Sequence, residues 1–248
     1  MDGASPCGTI VVSGNVTGTA QGILVQDCSA GSVSFTGAKT LNTGANAALT
    51  LTNNNGGSVS LTGGALGITT STGAGILGNG AGGFGSLTVS NATINATNGP
   101  ALNLTNGTVN ATFGSLTSAN SATNGVSLTT VNGTVTVTGG SITGSSGIAM
   151  LISGGGVDVS YTGNVTQASN AALLSVTGGH TGDLAFPAGT VSASNGSGLQ
   201  FDNADGVYDF DGTVTLVGGD AGIDVTNGSD GTFTFPGPTT ITSPSTGN

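Results

Sequence analysis

Cationic side chains are almost absent from this sequence: it has one lysine, Lys39, and no arginine. Phosphate neutralisation needs clustered Lys and Arg, so nucleic-acid binding is excluded as a function class. An anionic membrane surface would repel a chain whose 11 acidic residues, all Asp, leave a net charge of −10. Trp is missing, aromatics are only 4% and charged residues 5%. Without Glu or Arg, and with a single Lys, the strong charged helix formers are lacking, and an all-β fold is the expectation. No apolar run approaches the roughly 20 residues of a membrane span, so direct membrane insertion is not expected. Residues 1–7 carry neither the basic stretch nor the apolar core of a secretion signal, so any such signal is expected to have been removed or to lie outside this sequence.

What is present is Gly, 48 residues of it, with abundant Ser, Thr and Asn. Such a composition often stays disordered, because too little apolar surface is available to offset the ordering entropy. Here hydrophobic residues reach 35%, mean hydropathy is +0.24, and the apolar residues keep a period. One column runs Val12, Phe35, Leu61, Val89, Phe113, Val137, Tyr161, Phe186, Phe210, Phe235, spaced by 23, 26, 28, 24, 24, 24, 25, 24 and 25 residues. The residue two earlier is also apolar, from Ile10 and Val33 to Phe233, and alternation at period two marks a strand with one buried face. We call this strand B. A column upstream, strand A, reads Val25, Leu51, Leu77, Leu104, Leu128, Ile152, Val176, Phe201, Val225. A looser one, strand C, reads Leu41, Leu66, Ile94, Leu116, Ile142, Val165, Val191, Val214, Ile241.

Strands this short cannot stand alone, and each has one apolar face to cover. Wrapping three per repeat into a coil and stacking the coils puts every inward face into one core. The sequence therefore predicts a right-handed single-stranded parallel β-helix of about nine coils of ~24 residues. It forms one domain over 1–248: an N-terminal partial coil at 1–21, stacked coils at 22–242 and a tail at 243–248. Asn-Gly pairs such as 98–99, 106–107 and 132–133 supply the corners.

Stretches such as Gly133-Thr-Val-Thr-Val-Thr-Gly-Gly-Ser-Ile-Thr-Gly144 and Asn106-Gly-Thr-Val-Asn-Ala-Thr112 resemble the β-helix repeats of bacterial autotransporter passengers and adhesin-like surface proteins. The resemblance is architectural and covers essentially the whole chain. It implies a secreted or cell-surface location, a structural role without catalysis, and a surface, glycan or protein receptor as partner. The cysteine pair departs from that pattern, since long passengers tend to avoid cysteine.

Cys7 precedes the Ile10/Val12 strand and Cys28 precedes the Val33/Phe35 strand, 21 residues on. Stacking brings them within disulfide reach, and we expect a clip on the first coil and an oxidising compartment. The acidic residues gather late: Asp202, Asp205, Asp209, Asp211, Asp220, Asp224 and Asp230 lie within 202–230. Asp202, Asp205, Asp209, Asp211 and Asp224 form a candidate Ca²⁺ set, because hard cations want clustered carboxylates. The plainer reading is a solvated acidic face that keeps the chain soluble. No Ca²⁺-binding nonapeptide repeat or EF-hand loop occurs, and no cofactor is expected.

Catalysis is set against the same fold. Polyuronate chemistry on β-helices needs Arg and Lys, which are missing. A hydrolase would need paired carboxylates, Asp202 with Asp224 or Asp209 with Asp211, or His180 beside Asp183. His180, in Gly178-Gly-His-Thr-Gly182, is expected to be a corner residue. A polysaccharide-active enzyme is thus the third reading.

The second reading is a flat-surface binder such as an ice-binding solenoid. The outward positions of strand B read Ser32/Ser34/Thr36, Ser58/Ser60/Thr62, Ser86/Thr88/Ser90, Thr108/Asn110/Thr112, Thr134/Thr136/Thr138 and Ser160/Thr162. Stacked, they make a hydroxyl-bearing face, although Ser and Thr suit any exposed strand. Finally, open solenoid ends leave unpaired strand edges, so the expectation is that either the chain is a segment of a longer repeat protein or copies associate end to end. Pro236, Pro238 and Pro244 are placed to blunt the last edge.

Overall fold

The structure is a computed structural model that describes residues 5–242. It is all-β, with parallel strands stacked as a β-solenoid of about 10 turns of ~24 residues. Face B opens with Thr9–Val12 and closes with Thr232–Thr234; face C opens with Val16–Gly18 and closes with Thr239–Thr242. Face A runs from Ile23–Gln26 to Gly222–Thr226. The segment expected to be a partial coil thus supplies a rung to both B and C, which raises the turn count above nine.

Every ladder is parallel and joins a strand to its copy one coil on, as in Thr9–Val12 on Ser32–Phe35. Rungs in such sheets lie about 4.8 Å apart, so the stack is on the order of 45 Å long. Between Leu102 and Tyr161 the A and B ladders run on without a break, Leu102 opposite Val126 and Val126 opposite Met150.

The B residues Val89, Phe113, Val137, Tyr161, Phe186 and Phe210 are all buried, but the expected column slips by two residues between Val89 and Phe113: Val89 lies opposite Ala111, and Phe113 opposite Ala92. Its later rungs stack as aromatics, Phe186 on Phe210 with centroids 5.0 Å apart and Phe210 on Phe235 at 4.8 Å. Offset stacking of this kind adds to simple burial.

The other two columns also need correction. On face A, Leu49 and Leu51 lie opposite Ile76 and Gly78, so Leu77 points outward, and Gly75 is not its inward companion. Phe84, fully buried, enters the core at this level. On face C, Lys39 lies opposite Leu66 and Leu41 opposite Ile68; Ser118 lies opposite Ile142, and Leu216 opposite Ile241. The uneven C spacing is a two-residue slip within one strand. Such a slip keeps the same side inward, so burial tolerates it where a one-residue slip would invert the strand.

Each turn from A to B carries a left-handed residue, Asp27, Asn53, Gly80, Asn106, Thr130, Gly154, Gly178, Asn203 or Asn227, joined in several coils by a glycine such as Gly155 or Gly179. Asn, Asp and Gly reach that region most readily. Thr130, at φ 52°, is the β-branched exception. The turn from C to A buries small polar groups that bond within their own loop. Thr43 Oγ1 donates to Asn46 O at 2.7 Å and Ser121 Oγ to Asn124 O at 2.8 Å, whereas buried Gln167 reaches back one coil, its Nε2 donating to Gly147 O at 2.7 Å.

Lys39, the one lysine, faces inward and is only 1% exposed. Its Nζ donates to Phe35 O at 3.2 Å and Thr62 O at 3.4 Å, and burial lowers its pKa from 10.5.

The two ends leave apolar surface open among the described residues. Ile10, Val11 and Leu24 are exposed at one end and Val225 and Ile241 at the other, with Phe233 and Phe235 half-buried. Pro238 O accepts from Val214 N at 2.9 Å, so the last turn is held down on face C. The expected tail at 243–248, Pro244 included, lies outside the described residues.

Candidate functional site

Cys7 and Cys28 are brought together as a disulfide, with Cα atoms 5.3 Å apart. Cys7 N donates to Ala30 O at 2.8 Å, and Ser5 bridges to Cys28, so the clip sits on the outermost described rung. Cys28 is buried, and its amide is capped by Asn54 Oδ1 at 3.1 Å.

On face B the outward hydroxyls do form columns. Ser32, Ser58, Ser86 and Thr108 lie opposite one another in turn. Beside them run Ser34, Ser60, Thr88, Asn110, Thr134 and then Asp158. Thr112, Thr136 and Ser160 make a third column that continues into Ala185 and Asp209. Ser90 extends its strand, while Thr36, Thr62 and Thr138 fall just past theirs. Face B is not unique, however. Face A carries Thr105, Thr129, Ser153, Thr177, Asp202 and Thr226 in one column, and face C carries Thr143, Thr166, Ser192, Thr215 and Thr240.

The acidic residues are dispersed along the edges of successive coils. Asp202 lies opposite Thr226, and Asp224 opposite Gln200, whose Nε2 donates to it. Asp205 Oδ1 accepts from Asp230 N at 3.1 Å, and Asp209 accepts from the Thr234 hydroxyl. Asp211 is exposed just past its strand. Each bonded carboxylate thus ties one coil to the next. Among the described residues no three His, Cys, Asp or Glu side chains converge on one point that could hold a metal.

His180 lies at the corner between faces A and B, as expected, with its side chain buried. Its Nε2 lies 3.0 Å from Val157 O and donates to it; its Nδ1 faces the Tyr208 hydroxyl at 3.2 Å. That hydroxyl accepts from Gly206 N at 3.1 Å and lies 3.0 Å from His180 O, so its one proton serves either His180 O or Nδ1. Burial lowers the His180 pKa from 6.5, against smaller opposing effects of the Val157 carbonyl and the Asp158 and Asp183 charges. Asp183 contributes its amide to Asp158 Oδ1 at 2.9 Å. The cluster closes a turn from A to B and holds the imidazole away from any exposed substrate position.

A concavity lies where the sequence period stretches to 28. It is a groove of about 380 Å³ crossing three coils, with Asn55 and Ser58, Ser86, and Asn106 and Thr108 on its walls and Gly82 on its lip. The spacing of the B column pointed to this coil, but no residue motif marked the groove itself.

Set beside known protein families, curated proteins and solved structures, this chain finds no match. The fold stands on its own geometry. The likeness to autotransporter passengers and adhesins accordingly carries architecture and nothing finer.

Proposed function

We propose that this chain is a noncatalytic extracellular scaffold, a stalk or surface-display segment of adhesin-like type. The observation that supports it most is the continuity of three parallel ladders along the whole stack, clipped at one end by Cys7–Cys28. Such a body is a spacer: every coil supports its neighbours, and the exposed rows are built mainly of small hydroxyl and amide groups. A disulfide between buried and edge positions points weakly to a non-reducing compartment. The test is made on protein taken from its source cells without reductant. Alkylation mass spectrometry should find no free thiol, and protease applied to intact cells should reach the chain. Two free thiols, or protection from protease until lysis, would sink the reading.

Copies stacked head to tail would lengthen the same scaffold. The open strand edges at Thr9–Val12 and Thr232–Thr234 repeat the parallel pairing used inside, and the late acidic residues disfavour tail-to-tail contact. Light scattering should then show mass rising with concentration; a constant monomer mass rejects stacking.

A second reading, a flat-surface or ice binder, is favoured by the in-register columns from Ser32 to Thr108 and from Ser34 to Thr134. The matching rows on faces A and C weigh against it, since they give Ser and Thr a general role in solvation. Thermal hysteresis decides: a depressed freezing point that vanishes on Thr88→Tyr would replace the scaffold reading.

A further inference from the structure

The groove of the long coil gathers four polar side chains from three coils in one concavity. Several other amides along this corner hold coils together, though Asn203 and Asn227 do not. Asn54 caps Cys28 N and donates to Val25 O at 2.9 Å; Asn53 donates to Asp27 and accepts from Gly82 N; Asn132 accepts from Gly156 N at 3.0 Å. In the groove, Asn55, Ser86, Asn106 and Thr108 make no side-chain hydrogen bond with any described residue. They come from three successive coils, and all face one concavity.

Its floor is fixed by the backbone. Gly83 N donates to Gly80 O and Phe84 N to Asn106 O, both at 2.9 Å, while Asn54 N takes Gly83 O and Ser86 N takes Gly57 O. Phe84 is buried beneath as an anchor. A Cβ at Gly85 would lie 2.2 Å from Asn54 O, so no larger residue could stand there. The groove is therefore preformed, and its volume of about 380 Å³ falls in the range of small-molecule sites.

The chemistry of the walls narrows the ligand. No charged side chain lines the groove, so an ionic ligand would lose hydration without a counter-charge. Anions also meet a net charge of −10. Ala81 is the one apolar side chain on the lining, which excludes a hydrocarbon. Amides and hydroxyls both donate and accept, and the ligand that answers both at once is a neutral polyhydroxyl. The Ser58, Ser86 and Thr108 hydroxyls stand on successive rungs about 4.8 Å apart, a spacing on the scale of one sugar ring.

We infer that this groove is a binding site for a neutral saccharide of one or two rings, held by Asn55, Ser86, Asn106 and Thr108. With no aromatic platform on the walls, binding is weak, in the millimolar range. The inference goes beyond the scaffold reading and stands without it.

Saturation-transfer NMR on the full chain tests it, with maltose, lactose and cellobiose as neutral probes and glucuronate as the anionic control. Asn106→Gly removes the amide yet keeps the left-handed backbone, and Thr108→Val removes one hydroxyl at constant shape. Thr177→Val, on face A, serves as a distant control. The expected result is signal from at least one neutral disaccharide, none from glucuronate, and a tenfold or greater weakening in Asn106→Gly and Thr108→Val but not in Thr177→Val. Unchanged thermal midpoints show that the variants are folded. Silence from all neutral probes, equal signal from glucuronate, or signal that survives both groove variants overturns the proposal.

Discussion

Phe84 and Gly78 share one place in the core: a Cβ built on Gly78 would lie 2.8 Å from the Phe84 Cβ. Leu104 closes the same space from the next coil, its Cδ2 2.9 Å from that point. Phe84→Ala should therefore open a cavity and cost about 3–5 kcal/mol. Adding Gly78→Val should return part of that loss, since the new side chain grows into the vacated volume. Urea melts of the two single variants and the double variant measure the coupling. Strict additivity would show that the two residues do not share the site.

The disulfide closes a loop across the first described coil. Reduction, or the pair Cys7→Ser with Cys28→Ser, should lower stability by about 3 kcal/mol on the loop-entropy account. Because each coil supports only its neighbours, the loss should be local. Hydrogen exchange should quicken in Thr9–Val12 and Ile23–Gln26 while Val126–Val137 stays protected. Uniform quickening along the stack would contradict one-dimensional stability.

His180 gives the stack a pH dependence of defined sign. Its folded pKa is held below 6.5 by burial, so the unfolded chain binds the proton more readily. The stabilisation it contributes is complete above about pH 6.5 and is lost as pH falls toward the folded value. The groups that face it are Asp158, Asp183 and Tyr208, with Asp205 beside Tyr208, and the two named carboxylates moderate the loss. Thermal midpoints should drop between pH 7 and pH 5, and His180→Gln should flatten that drop. A slope unchanged by the substitution would assign it to other groups.

Lys39 is a charge placed where the fold wants an aliphatic side chain, between Val16 and Leu66 on face C. Two carbonyls are its hydrogen-bond partners, and neither carries a charge. Lys39→Met should raise stability by about 1–3 kcal/mol, since it removes desolvation and keeps the volume. Chemical denaturation at pH 7 checks the direction; a destabilised variant would mean that the carbonyl contacts outweigh desolvation.

Thr130 is the β-branched residue in a series of left-handed corners otherwise made by Asn, Asp and Gly. Thr130→Asn should gain about 1 kcal/mol by relieving that strain. Differential scanning calorimetry reads the gain, and a lower midpoint would show that the threonine side chain is itself a contact.

Much of this fold is legible in the residues, and the failures have physical causes. Column B could be read from Phe113 onward because its inward sites hold large residues, Val137, Tyr161, Phe186 and Phe210 among them; it misleads at Val89, which faces Ala111. Column A misleads at Leu77 because a glycine, Gly78, takes the inward site and a residue from the following loop, Phe84, fills it. Periodicity in sequence cannot see that exchange. Column C misleads through two-residue slips, which preserve hydrophobicity and so leave no trace in the pattern. The Cys7–Cys28 pairing followed from stacking alone. The acidic residues gather in sequence but not in space, because a solenoid spreads neighbours in the chain over different corners. The groove was foreshadowed only by the stretched period, since the gathering of side chains from three coils into one concavity belongs to the folded surface.

The ladder registers carry a last consequence, for how such a chain can change over generations. Val126 lies opposite Met150, and the residues after each keep the same pairing out to Val137 and Tyr161. Removing residues 126–149 would join Gly125 to Met150 and leave every remaining rung facing a rung of the same kind. Duplication of that segment would be equally silent. The chain is thus a ruler graduated in whole coils, free to lengthen or shorten by about 4.8 Å at a time, and intolerant of any fraction of a step.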